Sequence, residues 1–126
     1  MLKMYKKKSE SYILILDKIN KQIKCKRIFF LVAKKKSIRG NHAHKKCTQA
    51  FFSILGSFRI ECIFKNGKKK NFFINPGDNL KIIKPFTWVK VYLKKNTICG
   101  VVCDRNFEEG DYIRDFKKFN EIRNRI

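Results

Sequence analysis

Apolar residues fall along this chain in short runs rich in Ile, Val, Phe and Tyr, several of them alternating with polar positions. A two-residue period puts successive side chains on opposite faces of a strand, so such runs predict half-buried β-strands. They cover residues 11–16, 26–32, 50–55, 58–65, 70–74, 79–83, 88–93 and 97–103. Turn residues separate them. Asn66-Gly67 is the strongest hairpin signal, predicting a tight turn with positive φ at both positions. Gly56-Ser57, Asn75-Pro76-Gly77-Asp78 and Lys94-Lys95-Asn96 mark further reversals. Many short strands at this spacing predict an all-β sandwich or small barrel. Only the tail, from about 111 to 125, has a helical period, carried by Phe116, Phe119 and Ile122.

Composition narrows the class. A length of 126 residues fits one domain, 1–126, with one core, to which twelve phenylalanines bring bulk. No apolar run is long enough to span a bilayer, and the basic N-terminus lacks the apolar stretch of a secretory signal. The five cysteines (25, 47, 62, 99 and 103) form no CxxC pair and read as buried thiols in a reducing cytoplasm. The net charge of +21, from 31 basic and 10 acidic residues, draws anions. The lysines are scattered in small clusters, from Lys6 to Lys8 through to Lys117-Lys118, mostly where turns are expected. That spread suits a solvated surface better than a nucleic-acid stripe or a membrane-binding face.

The candidate chemistry lies in Arg39-Gly40-Asn41-His42-Ala43-His44, which contains both histidines of the chain. On a strand His42 and His44 share a face, and imidazoles serve proton transfer or metal binding near neutral pH. Four residues separate His44 from Gln49, and six more separate Gln49 from Gly56. This spacing resembles the first motif of the cupin barrels, with Gln49 where metal-binding members have glutamate. Pro85 to Lys90 resembles the second motif, with Lys90 where a third histidine would stand. A cation at that position repels a metal, and two imidazoles with an amide make a poor Zn²⁺ site. The expectation is therefore acid/base work without a catalytic metal.

The wider pattern is similar to the sugar 3,4-ketoisomerases, cupin enzymes acting on dTDP-4-oxo-6-deoxy-D-glucose. The likeness is carried by Arg39 to Lys46, Gln49, Gly56-Ser57, Pro85, Trp88 and Glu108 to Asp115, and runs from about Lys26 to Phe119. It implies a cupin jelly roll with a short C-terminal helix, a homodimer, often with exchanged N-terminal strands, and no metal or organic cofactor. It also implies a dTDP-linked 4-oxo-6-deoxy sugar as ligand, in a pathway to 3-amino-3,6-dideoxy sugars for surface glycans. His42 becomes the candidate base for the C3 proton and His44 a proton shuttle. Arg39 and Arg114 suit the pyrophosphate through guanidinium forks. Trp88, Gln49 and Lys90 complete the expected substrate contacts, although a lone tryptophan such as Trp88 is equally suited to a core.

The chain departs from that family in four places. Phe29-Phe30 stands where it has Tyr-Tyr, Phe107 replaces a tyrosine, Val89-Lys90-Val91 follows Trp88 where it has a polar, acidic continuation, and Ser9-Glu10-Ser11-Tyr12 matches an N-terminal turn only loosely. Tyr12 or Tyr92 is a candidate for the lost hydroxyl. A nucleotide-sugar 3,5-epimerase is the first alternative, disfavoured because no His/Tyr pair is evident in register. A non-catalytic sugar-binding cupin is the second, and a basic nucleic-acid binder the third. The last predicts steeply salt-dependent binding and leaves the paired histidines unexplained.

Overall fold

The computed structural model describes residues 2–7, as backbone only, and residues 11–125 with their side chains. Lys8 of the first lysine cluster and Ser9-Glu10 of the N-terminal turn lie outside the described residues. The chain runs β1 (Leu2–Lys7), β2 (Ser11–Leu16), β3 (Arg27–Val32), β4 (Ser37–His44), β5 (Gln49–Leu55) and β6 (Phe58–Ile63). It continues with β7 (Lys69–Ile74), β8 (Lys81–Ile83), β9 (Trp88–Leu93), β10 (Ile98–Cys103), β11 (Tyr112–Ile113) and α1 (Phe116–Arg123).

Two antiparallel sheets face each other, one ordered β3-β10-β5-β8 and the other β11-β4-β9-β6-β7. This is the all-β cupin sandwich with one short C-terminal helix that the sequence predicts. Phe51, Phe58, Ile60, Val89, Val91 and Val101 fill the space between the sheets. Each such side chain contributes about 1.5–3 kcal/mol on leaving water. Two smaller clusters back the outer faces. β2 lays Leu14 and Leu16 on Ala50, Phe52 and Val102, while α1 lays Phe119 on Ala43, Trp88 and Ile113. Among the described residues no helix is long and apolar enough to cross a membrane.

Three details differ from the expectation. The β6–β7 hairpin turns through Phe64 to Gly67, with Gly67 N–H donating to the Phe64 carbonyl at 2.8 Å. Only Gly67 has positive φ (85°). The connection is thus a turn closed by a left-handed glycine, not the two-residue type expected. Strand β4 carries polar residues throughout and so lacks the apolar run that marks the others. The tail helix starts at Phe116, five residues later than expected. Asp115 caps it, its carboxylate accepting from Lys117 N–H at 2.9 Å. Before the cap, Tyr112 and Ile113 pair with His44 and Ala43 as strand β11.

Candidate active site

The sequence Arg-Gly-Asn-His builds a bulge that changes which side chains face inward. Gly40 and Asn41 both adopt left-handed backbone, at φ 79° and 62°, and the β4–β9 register shifts between Gly40 and His42. A bulge inserts a residue and reverses the alternation beyond it. Arg39, three positions before His42, therefore lines the same cavity as His42. A Cβ at residue 40 would stand 2.9 Å from the Val89 carbonyl oxygen, so both φ and space require glycine there. Asn41 tolerates its conformation and accepts a hydrogen bond from Trp88 Nε1 on the outer side.

His42 and His44 lie edge to face, ring centroids 5.1 Å apart. His42 lines a cavity of about 180 Å³ together with Arg39, Gln49, Tyr112, Arg114 and the apolar Phe29, Leu31, Phe51, Val89 and Val91. His44 sits one ring behind, only 5 % exposed. Its Nδ1 faces Asp111 Oδ2 at 2.8 Å. Asp111 is itself held by Lys46 N–H at 2.6 Å and Cys47 N–H at 3.3 Å. Burial would raise this carboxyl, but the bonds from His44, Lys46 and Cys47 outweigh it and hold it below its ordinary value.

Two buried ring nitrogens, His42 Nδ1 and His44 Nε2, have no protein partner. Such atoms cost about 1–3 kcal/mol each and need an explanation. Burial, with like charge from His44 and from Arg114 and Arg39, pulls His42 down to about 4. His44 is also lowered, by burial first, against the opposing pull of Asp111. Both imidazoles are neutral at pH 7 and able to accept a proton.

The residue that the sequence reading missed is Tyr112. Its ring centroid lies 5.0 Å from that of His42 and 4.3 Å from that of His44. The strand pairing Tyr112–His44 puts it there. A His/Tyr pair in register does exist, contrary to the expectation. A helix beginning at 111, as the periodicity predicts, would not pair Tyr112 with His44. The sequence carried the signal in Asp111-Tyr112-Ile113-Arg114, but not its strand pairing. Neither Tyr12, which donates to the Ile54 carbonyl, nor Tyr92, packed under Arg59 at 3.8 Å, comes to the cavity. Of the Phe29-Phe30 pair, Phe29 faces the cavity and Phe30 faces solvent. Phe107 stacks on the far side of Tyr112 at 5.6 Å.

The other expected contacts divide. Arg39, Gln49 and Arg114 line the cavity. Arg114 is tethered to Glu109 by two bonds of 2.8 and 3.0 Å and lies over the Tyr112 ring at 4.3 Å. Trp88 is not a cavity residue: it points to the outer face, 2 % exposed, against Phe116 and Phe119. Its core role prevails because the histidine face and the tryptophan face are opposite sides of one sheet. Lys90 is likewise excluded. Its neighbours Val89 and Val91 point inward, so strand alternation turns Lys90 outward.

His44, Cys47 and Asp111 bring potential metal-ligand atoms within 4.8 Å of one another. Asp111 already accepts three hydrogen bonds from the protein. The trio is a hydrogen-bonded brace for His44, and its carboxylate is not free to coordinate.

With this geometry in hand, the comparisons with known proteins become informative. Residues 1–124 match the family described as FdtA: WxcM-like, C-terminal. Among solved structures, WlaRA, a TDP-fucose-3,4-ketoisomerase from Campylobacter jejuni, is 25% identical. The match covers 100% of this chain and 96% of that one, at a TM-score of 0.78. QdtA, a sugar 3,4-ketoisomerase from Thermoanaerobacterium thermosaccharolyticum in complex with TDP, is 22% identical over 99% and 94% of the two chains, at 0.81. A 3,4-ketoisomerase from Helicobacter canadensis is 22% identical over 98% and 93%, at 0.82. At their lower identity the last two speak to the fold. Curated protein sequences give no match.

Proposed function

The chain belongs to the FdtA family, WxcM-like, C-terminal, and from that membership we propose that it is a nucleotide-sugar 3,4-ketoisomerase. Its substrate is a dTDP-linked 4-oxo-6-deoxy sugar. The observation that carries this reading is the cluster of two buried neutral histidines and a tyrosine at the wall of one cavity.

Moving a ketone from C4 to C3 needs a base for the C3 proton, which the adjacent carbonyl acidifies. It also needs donors for the enediolate, and a proton returned to C4. His42 is the base: it lines the cavity and is uncharged at neutral pH. Tyr112 offers the hydroxyl that Phe29 lacks, next to His42 and His44. His44, oriented through Nδ1 by Asp111, takes up and returns the proton that passes between the two oxygens. Asp111 stabilises the imidazolium when His44 is charged. Arg39 joins the cavity to a groove of about 520 Å³ that also carries Lys34 and Lys35. That cationic run suits a pyrophosphate.

The product is a 3-oxo-6-deoxyhexose, which an aminotransferase would convert to a 3-amino sugar for surface glycans, in the cytoplasm. A homodimer fits the apolar Ile28, Phe30 and Val32 exposed on edge strand β3. The Tyr112–His42 contact also favours a second reading, 3,5-epimerisation. One experiment separates them: incubation with dTDP-4-oxo-6-deoxyglucose in D₂O, followed by NMR. A 3-oxo product carrying deuterium at C4, with exchange of the C3 hydrogen in the remaining substrate, is the expected result. Deuterium at C5 identifies the epimerase, and unchanged substrate from folded protein overturns both.

A further inference from the structure

Below the cavity floor lies a second polar cluster that the isomerisation does not use. Cys103, on β10, is fully buried. Arg27 Nη2 and Gln49 Nε2 both donate to its sulfur, each at 3.5 Å. Cys47 sits beside it, because Gln49 pairs with Cys103 across β5 and β10. Thr48 and Asp104 then clamp the strand ends together through Thr48 N–H to Asp104 Oδ1 at 2.9 Å and Asp104 N–H to Thr48 O at 3.2 Å. Cys47 Sγ donates to the Thr48 carbonyl at 3.4 Å, and the two cysteines belong to the same buried core cluster.

Arg27 explains why this cluster differs from an ordinary pair of core thiols. Among the described residues no carboxylate lies within ion-pair distance of its guanidinium. Its polar neighbours are Cys103 and Tyr112, and Phe29 and Phe107 flank it at 5.6 Å. A half-buried cation facing a sulfur that also receives the Gln49 amide favours the thiolate. In keeping with that geometry, Cys103 is drawn down to about 6, with the bond from Cys47 as first cause and those from Gln49 and Arg27 adding to it against burial. Cys62 and Cys99, buried without such donors, are pushed up instead.

We propose that Cys103 and Cys47 form an oxidisable pair under the active site, with Cys103 the reacting thiolate and Cys47 the resolving thiol. A hydroperoxide, hydrogen peroxide being the simplest, is the oxidant. The Cys103 thiolate attacks one peroxide oxygen and the O–O bond breaks. Hydroxide leaves, and Cys103 becomes a sulfenic acid. Cys47 sulfur then attacks the Cys103 sulfur, the S–O bond breaks, and water leaves with the Cys47 proton. The two cysteines lose two electrons together and the peroxide becomes two waters. The oxidant enters through the cavity wall, since Gln49 both lines the cavity and touches the sulfur. Closing the disulfide removes the anion opposite Arg27. It also pulls on Cys47, whose N–H supports Asp111 and through it His44.

The test is oxidation of the whole protein with hydrogen peroxide, read by thiol titration in denaturant and by mass spectrometry of peptides digested without reduction. Two of the five thiols should disappear, with one new linkage between the Cys47 and Cys103 peptides, reversed by dithiothreitol. In Cys47→Ser the linkage should vanish and a sulfenic acid at Cys103 should be trapped by dimedone. Cys25→Ser, which removes the most exposed thiol, should leave the linkage unchanged. Arg27→Lys keeps the charge but loses the fork, and should slow dimedone labelling in the Cys47→Ser background at least severalfold. Oxidation confined to Cys25, a linkage through any other cysteine, or five intact thiols would overturn the proposal. These readouts need no turnover assay, so they stand or fall apart from the ketoisomerase reading.

Discussion

The three neighbouring strands β11, β4 and β9 carry two opposite surfaces. On the outer face Ala43, Ile113 and Trp88 are sealed by Phe119 of α1, and the one polar atom of the tryptophan is matched to Asn41. On the inner face His42, His44 and Tyr112 crowd together, and two ring nitrogens have no protein partner. Residues one step apart in sequence therefore serve unlike ends. The outer face maximises apolar contact and satisfied bonds, which is stability. The inner face keeps buried polar groups at a cost in stability, as a site must if it is to bind and move protons.

The sharpest way to break this comparison is to mutate one residue on each face. His42→Asn should lower deuterium exchange at C3 roughly 10²–10⁴-fold, the usual contribution of a general base, while circular dichroism and the unfolding midpoint hold. Comparable loss of fold would place His42 with the outer face. Trp88→Ala should do the reverse, costing about 3–5 kcal/mol in denaturant unfolding as large core aromatics do. Turnover per folded molecule should fall far less than in His42→Asn.

A pH series sharpens the same contrast. His42 is held at about 4 in the folded chain, below the ordinary value of about 6.5. As pH falls, the unfolded chain binds this proton first. Stability should therefore be full above pH ~6.5 and decline towards pH ~4, by at most ~3 kcal/mol from this residue. His44, also lowered, adds in the same sense. Urea midpoints across that range check the slope, and His42→Asn should flatten part of it; a flat wild-type profile would contradict the burial assigned to the pair. The smallest effect expected is for Tyr112→Phe, about tenfold in turnover, or ~1.4 kcal/mol. Its ring packing between the histidines and Phe107 is retained, so its unfolding midpoint should stay that of the wild type.

Much of this was legible in the primary structure, and the failures have physical causes. The two-residue period exposed eight strands because each buries an apolar face. It missed β4 because the site strand is polar on its working side. The sequence put His42 forward by residue type and spacing, and Arg39, Gln49 and Arg114 by motif resemblance, and the structure sets all four at one cavity. Trp88 and Lys90 turn to the other face, because motif position along a chain does not say which face of a sheet a residue takes. Tyr112 was hidden because its role depends on pairing with a strand about seventy residues away.

Local chemistry therefore determined eight of the strands, the left-handed backbone at Gly40 and the sharing of one face by His42 and His44. Backbone sterics and short-range hydrophobic period are properties of a few consecutive residues. Only the tertiary fold decided that Tyr112 and Asp111 would meet the histidines, that Trp88 would turn away, and that Arg27 and Gln49 would both reach Cys103. Those meetings are long-range contacts. They exist because two sheets must close over one core, and the register of that closure is set by the whole chain at once.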